Sequence, residues 1–271
     1  MLGQRARRTA ASPCAVAGSR SSLAAMDTTG RAPWLTDERA PADAVGQLYR
    51  GRLDGIILKQ LLTPDECATC MAAVVAHGRW EPVYPDPHAP KSIGVMYSPT
   101  PIHPTGPPRD YYFPDAAQDA RWVREALHPL IPRFEEKLSA LSGTRSVGSL
   151  DQPEQHRLAT VREMDVGYGA PAHVDTYEPS DGLASLFAHT DRTTQLSWYV
   201  LLQPPGSGGE LEVADRSGAM RVVPLEAGDG VLFDGGRLQH CVTCVASSPP
   251  RVTVGGFAGI ARTGNHVYYW S

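Results

Sequence analysis

From about residue 156 onward, short apolar or alternating runs follow one another: LATVREMDV, TQLSWYVLLQ, GELEVAD, RVVPLEAGDGVLFDG, LQHCVTCVA and RVTVGGFAGIA. Gly, Pro, Asp and Ser punctuate them. Runs of this length and spacing predict an antiparallel β-sandwich or barrel. No strand–helix alternation of the βαβ kind and no Gly-rich phosphate loop interrupts them. The N-terminal half is patterned differently. Gly55-Ile56-Ile57-Leu58 reads as a short buried strand. Thr63-Pro64-Asp65-Glu66 reads as a helix start, with Thr63 as N-cap, Pro64 at the first helical position and acids in the first turn. That helix is expected to end at Gly78. A second helical stretch, about 117–142, is kinked or broken by Pro129 and Pro132. Residues 80–118 between them are rich in Pro and Tyr. A segment of that length in a compact domain either lines a pocket or wraps the surface.

The chain has 271 residues, 24 Pro and 26 Gly, a turn-rich composition that suits a sheet protein better than a helical bundle. A hydrophobic fraction of 42% and a charged fraction of 20% describe an ordinary globular protein able to bury a large core. The net charge of −4 gives no general attraction to nucleic acid or anionic membrane. No apolar run is long enough to span a bilayer. Residues 1–45 read as a disordered leader or an over-long start with the natural initiator at Met26, a reading preferred to an Arg-rich transit peptide. Residues 46–271 read as a single domain, with a helical N-terminal part at about 46–145 and a β core at about 146–271.

The five cysteines include two pairs of zinc-like spacing, Cys67-x-x-Cys70 and Cys241-x-x-Cys244. The first pair lies in a helical run and the second in a strand-like run, where positions three apart face opposite sides. Free thiols are therefore expected rather than a shared zinc site. The odd count, with no secretory signal, points to a cytoplasmic setting.

Three features of the β-rich half belong together: His173-Val174-Asp175 after LATVREMDV, His240 in LQHCVTCVA, and Arg251-Val252-Thr253 after an SSPP turn. Two imidazoles and one carboxylate on one side of a metal leave three positions open, the arrangement of non-haem iron(II) sites that admit O₂ and a chelating cosubstrate. Residues two apart at a strand end project to the same side, so His173 and Asp175 are paired ligand candidates and His240 completes the set. Arg251, eleven residues beyond His240, is expected across a hairpin from it. Its planar fork would grip the distal carboxylate of 2-oxoglutarate, with the Thr253 hydroxyl adding a hydrogen bond. A competing His189-Thr190-Asp191 follows a loop or short helix rather than a core strand. Trp198, Tyr84, Tyr97 and Phe187 are candidates for an apolar substrate wall, though core packing is the commoner role for each. Arg162, in a run that otherwise reads as a core strand, either points into the barrel toward an acidic ligand or pairs with Glu163 or Asp165 at the rim.

At these residues the chain resembles the iron(II)/2-oxoglutarate-dependent oxygenase superfamily, whose core is a double-stranded β-helix, or jelly roll. QLSWYVLLQPPGSGGELEV, AGDGVLFDGGRLQHCV and RVTVGGF stand in that superfamily's order. More narrowly, DGIILKQLLTPDE, ATVRE, AHVD, FDGGR, SSPPRVTVGGF and YYWS resemble the freestanding aliphatic halogenases of cyanobacterial hapalindole and welwitindolinone pathways. The resemblance implies iron at His173 and His240, 2-oxoglutarate at Arg251, and a free small-molecule substrate, in a monomer or homodimer. It departs at one place. Those halogenases carry a small residue where this chain has Asp175, and chloride occupies the vacancy. With a carboxylate there, hydroxylation with release of succinate and CO₂ is the expected outcome. A prolyl-hydroxylase-like enzyme acting on a peptide, and a jelly-roll binding protein without catalysis, share the same motifs and stay open.

Overall fold

In the computed structural model, residues 34–78, 80–82, 90–94, 116–150, 157–175, 188–190, 195–215 and 217–271 are described. The chain begins with β1 (Trp34–Thr36), a 3-10 turn (Asp37–Arg39), α1 (Ala44–Tyr49), β2 (Gly55–Leu58) and α2 (Pro64–His77). There follow β3 (Glu81–Pro82), β4 (Lys91–Ile93), α3 (Ala116–Ala126), α4 (Leu130–Leu141) and β5 (Ser146–Ser149). The core strands are β6 (Thr160–Met164), β7 (Ala170–His173), β8 (Leu196–Gln203), β9 (Ser207–Gly208) and β10 (Leu211–Ala214). They continue as β11 (Met220–Val223), β12 (Gly230–Phe233), β13 (His240–Val242), β14 (Val245–Ser247), β15 (Arg251–Ile260) and β16 (His266–Trp270).

Two sheets face each other as a double-stranded β-helix. The major sheet runs β1-β2-β12-β8-β15-β6-β4-β3, with β16 on β15 and β5 on β16; the minor sheet runs β11-β10-β13-β7. Strand periodicity sorts the side chains between two cores. Ile57, Val231 and Phe233 of the major sheet meet Leu211, Val213 and Val223 of the minor sheet inside the barrel. Their neighbours Ile56, Leu58, Leu232, Trp198, Val200, Val252 and Val254 face outward and pack under the helices. Central strands are thus buried on both faces, which is why they read as apolar runs with little alternation.

The helices are fixed by local chemistry and by that outer core. Thr63 and Glu66 form a reciprocal capping box at the start of α2, and Gly78 ends it in the left-handed region (φ 65°). The expected second helix is two, α3 and α4. Pro132 is accommodated in the first turn of α4, where its missing N–H costs nothing. Phe134 of α4 is fully buried, stacked on Trp198 at 4.0 Å and edge-on to Tyr269 at 5.5 Å.

Two expectations change. Residues 34–45 do not belong with a leader: β1 pairs parallel with β2, Trp34 packs against the barrel core and Ala44 is fully buried. The boundary near 145 is not a structural one, because β2 pairs β12 and β4 pairs β6. Apolar strands on the N-terminal side complete the same sheet rather than a separate helical layer. Cys67, Cys70 and Cys241 are free thiols, as expected. Burial pushes the Cys67 thiol up to about 11. No helix among the described residues is long and apolar enough to cross a membrane.

Phe134→Ala should lower the unfolding free energy by about 3–5 kcal/mol, because it removes a buried aromatic and leaves a cavity between α4 and the sheet. Urea denaturation measures this, and a loss under about 1 kcal/mol would show that α4 is not anchored by this contact.

Candidate metal centre

Strands β7 and β13 pair antiparallel with His173 directly opposite His240. Directly opposed residues share a sheet face, and β10 beyond β13 sets Val213 opposite His240. Since Val213 belongs to the barrel core, both imidazoles face inward. Their ring centroids are 4.3 Å apart, and Phe233 closes on His240 edge-on at 4.9 Å. Asp175, two residues past the end of β7, is tied down when its backbone N–H donates to the Gly235 carbonyl (2.8 Å). Its carboxylate then lies 3.5 Å from His173 Nε2 through Oδ1 and 3.4 Å from His240 Nε2 through Oδ2.

The three ligand atoms lie within 4.8 Å of one another, and no other such group of His, Cys, Asp or Glu occurs among the described residues. Each histidine has its tautomer set by the backbone. His173 Nδ1–H donates to the Pro171 carbonyl (2.7 Å) and His240 Nδ1–H to the Leu238 carbonyl (2.9 Å). Both Nε2 lone pairs are therefore left toward the carboxylate, which is the state a metal ligand requires. Burial opposes ionisation of Asp175, but His173, His240 and Ser197 outweigh it and hold its carboxyl well below the usual range. Asp175 in turn raises His173 above the ordinary imidazole value, against burial. Two imidazole nitrogens and one carboxylate oxygen in this compass suit iron(II) with open positions, and the residues present fit the group. The centre is graded in exposure: the His240 side chain is 8% exposed, Asp175 15% and His173 42%, so the mouth is on the His173 side.

Two supporting residues were not picked out by motif. The Ser197 hydroxyl donates to Asp175 Oδ2. Gly235 leaves the space for that contact: a Cβ there would sit 1.9 Å from Ser197 Oγ and 2.7 Å from Asp175 Oδ2. Period two along β8 is the signal that places Ser197. Ser197, Tyr199 and Leu201 face the barrel, while Trp198, Val200 and Leu202 face the helices. The same alternation removes Trp198 from any substrate wall; it is core, and its indole N–H donates to the Phe257 carbonyl. Tyr84, Tyr97 and Phe187 lie outside the described residues.

Arg251 and Thr253 open β15, 4% and 6% exposed. They are not across a hairpin from His240, as expected. β15 pairs with β6, β8 and β16 in the major sheet, whereas β13 belongs to the minor one. Pro249 and Pro250 lack the N–H to continue a ladder, so the chain crosses to the opposing sheet there. Arg251 thus reaches the interior from the facing wall. Its guanidinium lies 5.0 Å from the Tyr199 ring centroid, and the two border a cavity of about 250 Å³ with Leu201, Gly209, Leu211 and Val223. The Tyr199 hydroxyl is buried within reach of the Arg251 guanidinium. The Gly-Gly turn beside it is required by the backbone: Gly208 has φ 70°, and a Cβ there would meet the Cys244 carbonyl at 2.1 Å. The competing His189 is exposed and edge-on to Tyr268 at 5.9 Å, away from the cluster; Asp191 lies outside the described residues.

Residues 35–224 and 216–271 match the family model described as the carrier-protein-independent halogenase WelO5. No curated protein sequence matches the chain. Among solved structures, a prolyl-4-hydroxylase from Pseudomonas putida aligns at 15% identity over 75% of this chain and 91% of its own, with a TM-score of 0.47. The non-heme alpha ketoglutarate dependent epimerase SnoN of nogalamycin biosynthesis aligns at 17% identity over 80% and 85%, TM-score 0.49. A 2OG-Fe(II) oxygenase family oxidoreductase from Burkholderia pseudomallei aligns at 17% over 81% and 91%, TM-score 0.48.

Ser197→Ala should weaken binding of a divalent metal about 10- to 100-fold while leaving the thermal transition near that of the parent, since it frees one carboxylate oxygen without touching the core. Anaerobic Fe(II) titration reads this; unchanged affinity would show that Ser197 does not position Asp175.

Proposed function

The chain belongs to the carrier-protein-independent halogenase family WelO5, within the iron(II)/2-oxoglutarate oxygenases, and on that premise we propose that it hydroxylates an unactivated aliphatic C–H of a freestanding small molecule. The observation that carries this reading is Asp175, a carboxylate between the two histidines where the resembling halogenases leave room for chloride. In the proposal, His173, Asp175 and His240 hold iron(II), and Arg251, Thr253 and Tyr199 hold 2-oxoglutarate. Bound there, iron(II) and 2-oxoglutarate would supply the oxidising chemistry, one O₂ and one 2-oxoglutarate giving the alcohol, succinate and CO₂.

The chain's own residues do the rest. The backbone carbonyls of Pro171 and Leu238 keep both Nε2 atoms available. Ser197 and the Gly235 carbonyl hold Asp175 as an oriented anion, so that the carboxylate fills the position a halide would need. Arg251 would meet the distal carboxylate with a cationic fork in a buried pocket, where a charge-assisted pair is strong, with Tyr199 beside it. Phe233, Val213 and Leu211 keep water from the closed side. A freestanding substrate is supported by the family's description as carrier-protein-independent. A cytoplasmic setting belongs to the same proposal, supported by the three free thiols among the described residues.

Purified chain given Fe(II), O₂ and 2-oxoglutarate should form succinate slowly without substrate. Arg251→Ala should lose this at ordinary 2-oxoglutarate concentrations, and Asp175→Ala should lose it in chloride-free buffer. Succinate formation that survives both changes would contradict the assignment.

A further inference from the structure

Beside the metal centre, the barrel wall carries one polar side chain that neither the metal nor the cosubstrate pocket uses. Leu196, the first residue of β8, lies in the helix-side core, and Ser197 turns inward to Asp175. Side chains alternate along an extended chain, so Gln195, one position before Leu196, returns to the barrel side. The loop after β12 holds its backbone there. Phe233 and Ser197 are the last ladder pair of β12 and β8, and beyond them the Gly236 N–H donates to the Gln195 carbonyl (2.9 Å). Gly235 backs onto Ser197 and Asp175, and Gly236 onto Gln195: a Cβ on Gly236 would sit 3.0 Å from the Gln195 backbone nitrogen and 3.5 Å from its Cβ. Gln195 therefore stands one step farther along the wall that holds Asp175.

The side chain is buried, 7% exposed, and its amide makes no hydrogen bond among the described residues. An amide in that state is a cost that a bound partner removes. Its surroundings on the same sheet face offer none. Phe257 is paired with Ser197 and Trp270 with Phe257, their ring centroids 6.4 Å apart. Leu196 is paired with Ala258, which brings Gly259, without a side chain, beside Gln195. The cosubstrate pocket lies the other way along β8, where Tyr199 and Leu201 border the cavity with Arg251. Strand rise puts Gln195 about 7 Å from Ser197 in the opposite direction. On the oxygenase reading, on which this inference rests, Gln195 is thus across the metal centre from 2-oxoglutarate, on the side left to the substrate.

A glutamine amide offers an N–H donor and a C=O acceptor along one edge, and carries no charge. The ligand group that answers both is a neutral one with its own N–H and C=O side by side. A trans peptide unit points these two in opposite directions, whereas a lactam or a primary amide presents them together. We propose that Gln195 is a specificity-determining residue, and that the substrate presents a lactam or primary-amide edge to it beside the metal centre.

The test uses the full chain, loaded anaerobically with Fe(II) and 2-oxoglutarate and titrated by calorimetry with 2-quinolone, a flat lactam. Wild type should bind 2-quinolone saturably. Its N-methyl derivative, which lacks the donor, and N-methylbenzamide, whose trans amide separates the two groups, should bind about tenfold more weakly or worse. Gln195→Leu and Gln195→Glu should each weaken 2-quinolone about tenfold. Both should leave the affinity for 2-oxoglutarate and the weak binding of the N-methyl derivative as in wild type, which a merely structural role would not do. 2-Quinolone that fails to bind, binds no better than its N-methyl derivative or N-methylbenzamide, or binds both variants as well as the parent overturns the proposal. So does a parallel loss of 2-oxoglutarate affinity in both variants, which would make Gln195 a structural or cosubstrate residue. A wild-type chain that binds no 2-oxoglutarate contradicts the oxygenase reading instead, so the two failures are told apart.

Discussion

The centre depends on one backbone constraint, the antiparallel register of β7 on β13 that sets His173 opposite His240. Side chains alternate along a strand, so a slip of one residue in either strand would send an imidazole to the outer face of the minor sheet. The register of β13 is held on its other side by β10. β10 pairs with β13 and places Val213 and Leu211 in the barrel core, which an outward turn would expose. Asp175 then needs no strand of its own. Two residues past β7, one backbone hydrogen bond to Gly235 and the Ser197 hydroxyl aim its carboxylate at both rings.

The barrel interior is divided by polarity along its length and across its sheet. Ile57, Val231, Phe233, Leu211, Val213 and Val223 form an apolar block that joins the sheets. Beside it, the same faces of β8, β15 and β6 carry Ser197, Tyr199, Thr253, Arg251 and Arg162. Polar groups in such a setting are costly unless they have partners. Asp175 is satisfied by its three neighbours, and Arg251 lies against the Tyr199 ring. The Tyr199 hydroxyl is buried beside the Arg251 guanidinium, and the buried Ser92 hydroxyl has no hydrogen-bond partner among the described residues.

How much of this was legible in the chain follows from how local each signal is. The capping box at Thr63 and Glu66 is a four-residue pattern, and Gly78 is a one-residue stop; both read directly. The β runs were legible because Gly, Pro and Asp separate them. His173, Asp175 and His240 stand out through residue type and spacing, and the fold brings the three together. What could not be read was sheet membership. Arg251 follows His240 closely along the chain, yet the two lie in opposed sheets because Pro249 and Pro250 end one ladder before the next begins. For the same reason β1, β2 and β4 could not be assigned to the sheet of the C-terminal half: their partners are far away in sequence. Ser197 and Gly235 escaped because their roles exist only after Asp175 has been folded against them.

The most direct test of the central claim is the metal itself: Fe(II) bound anaerobically to the purified chain, counted per chain and examined by X-ray absorption at the iron edge. The account requires one Fe(II) per chain, with two imidazole nitrogens and the remaining donors oxygen, and loss of stoichiometric binding in His173→Ala and His240→Ala. Iron that binds without imidazole donors, or that binds both variants as well as the parent, would contradict it.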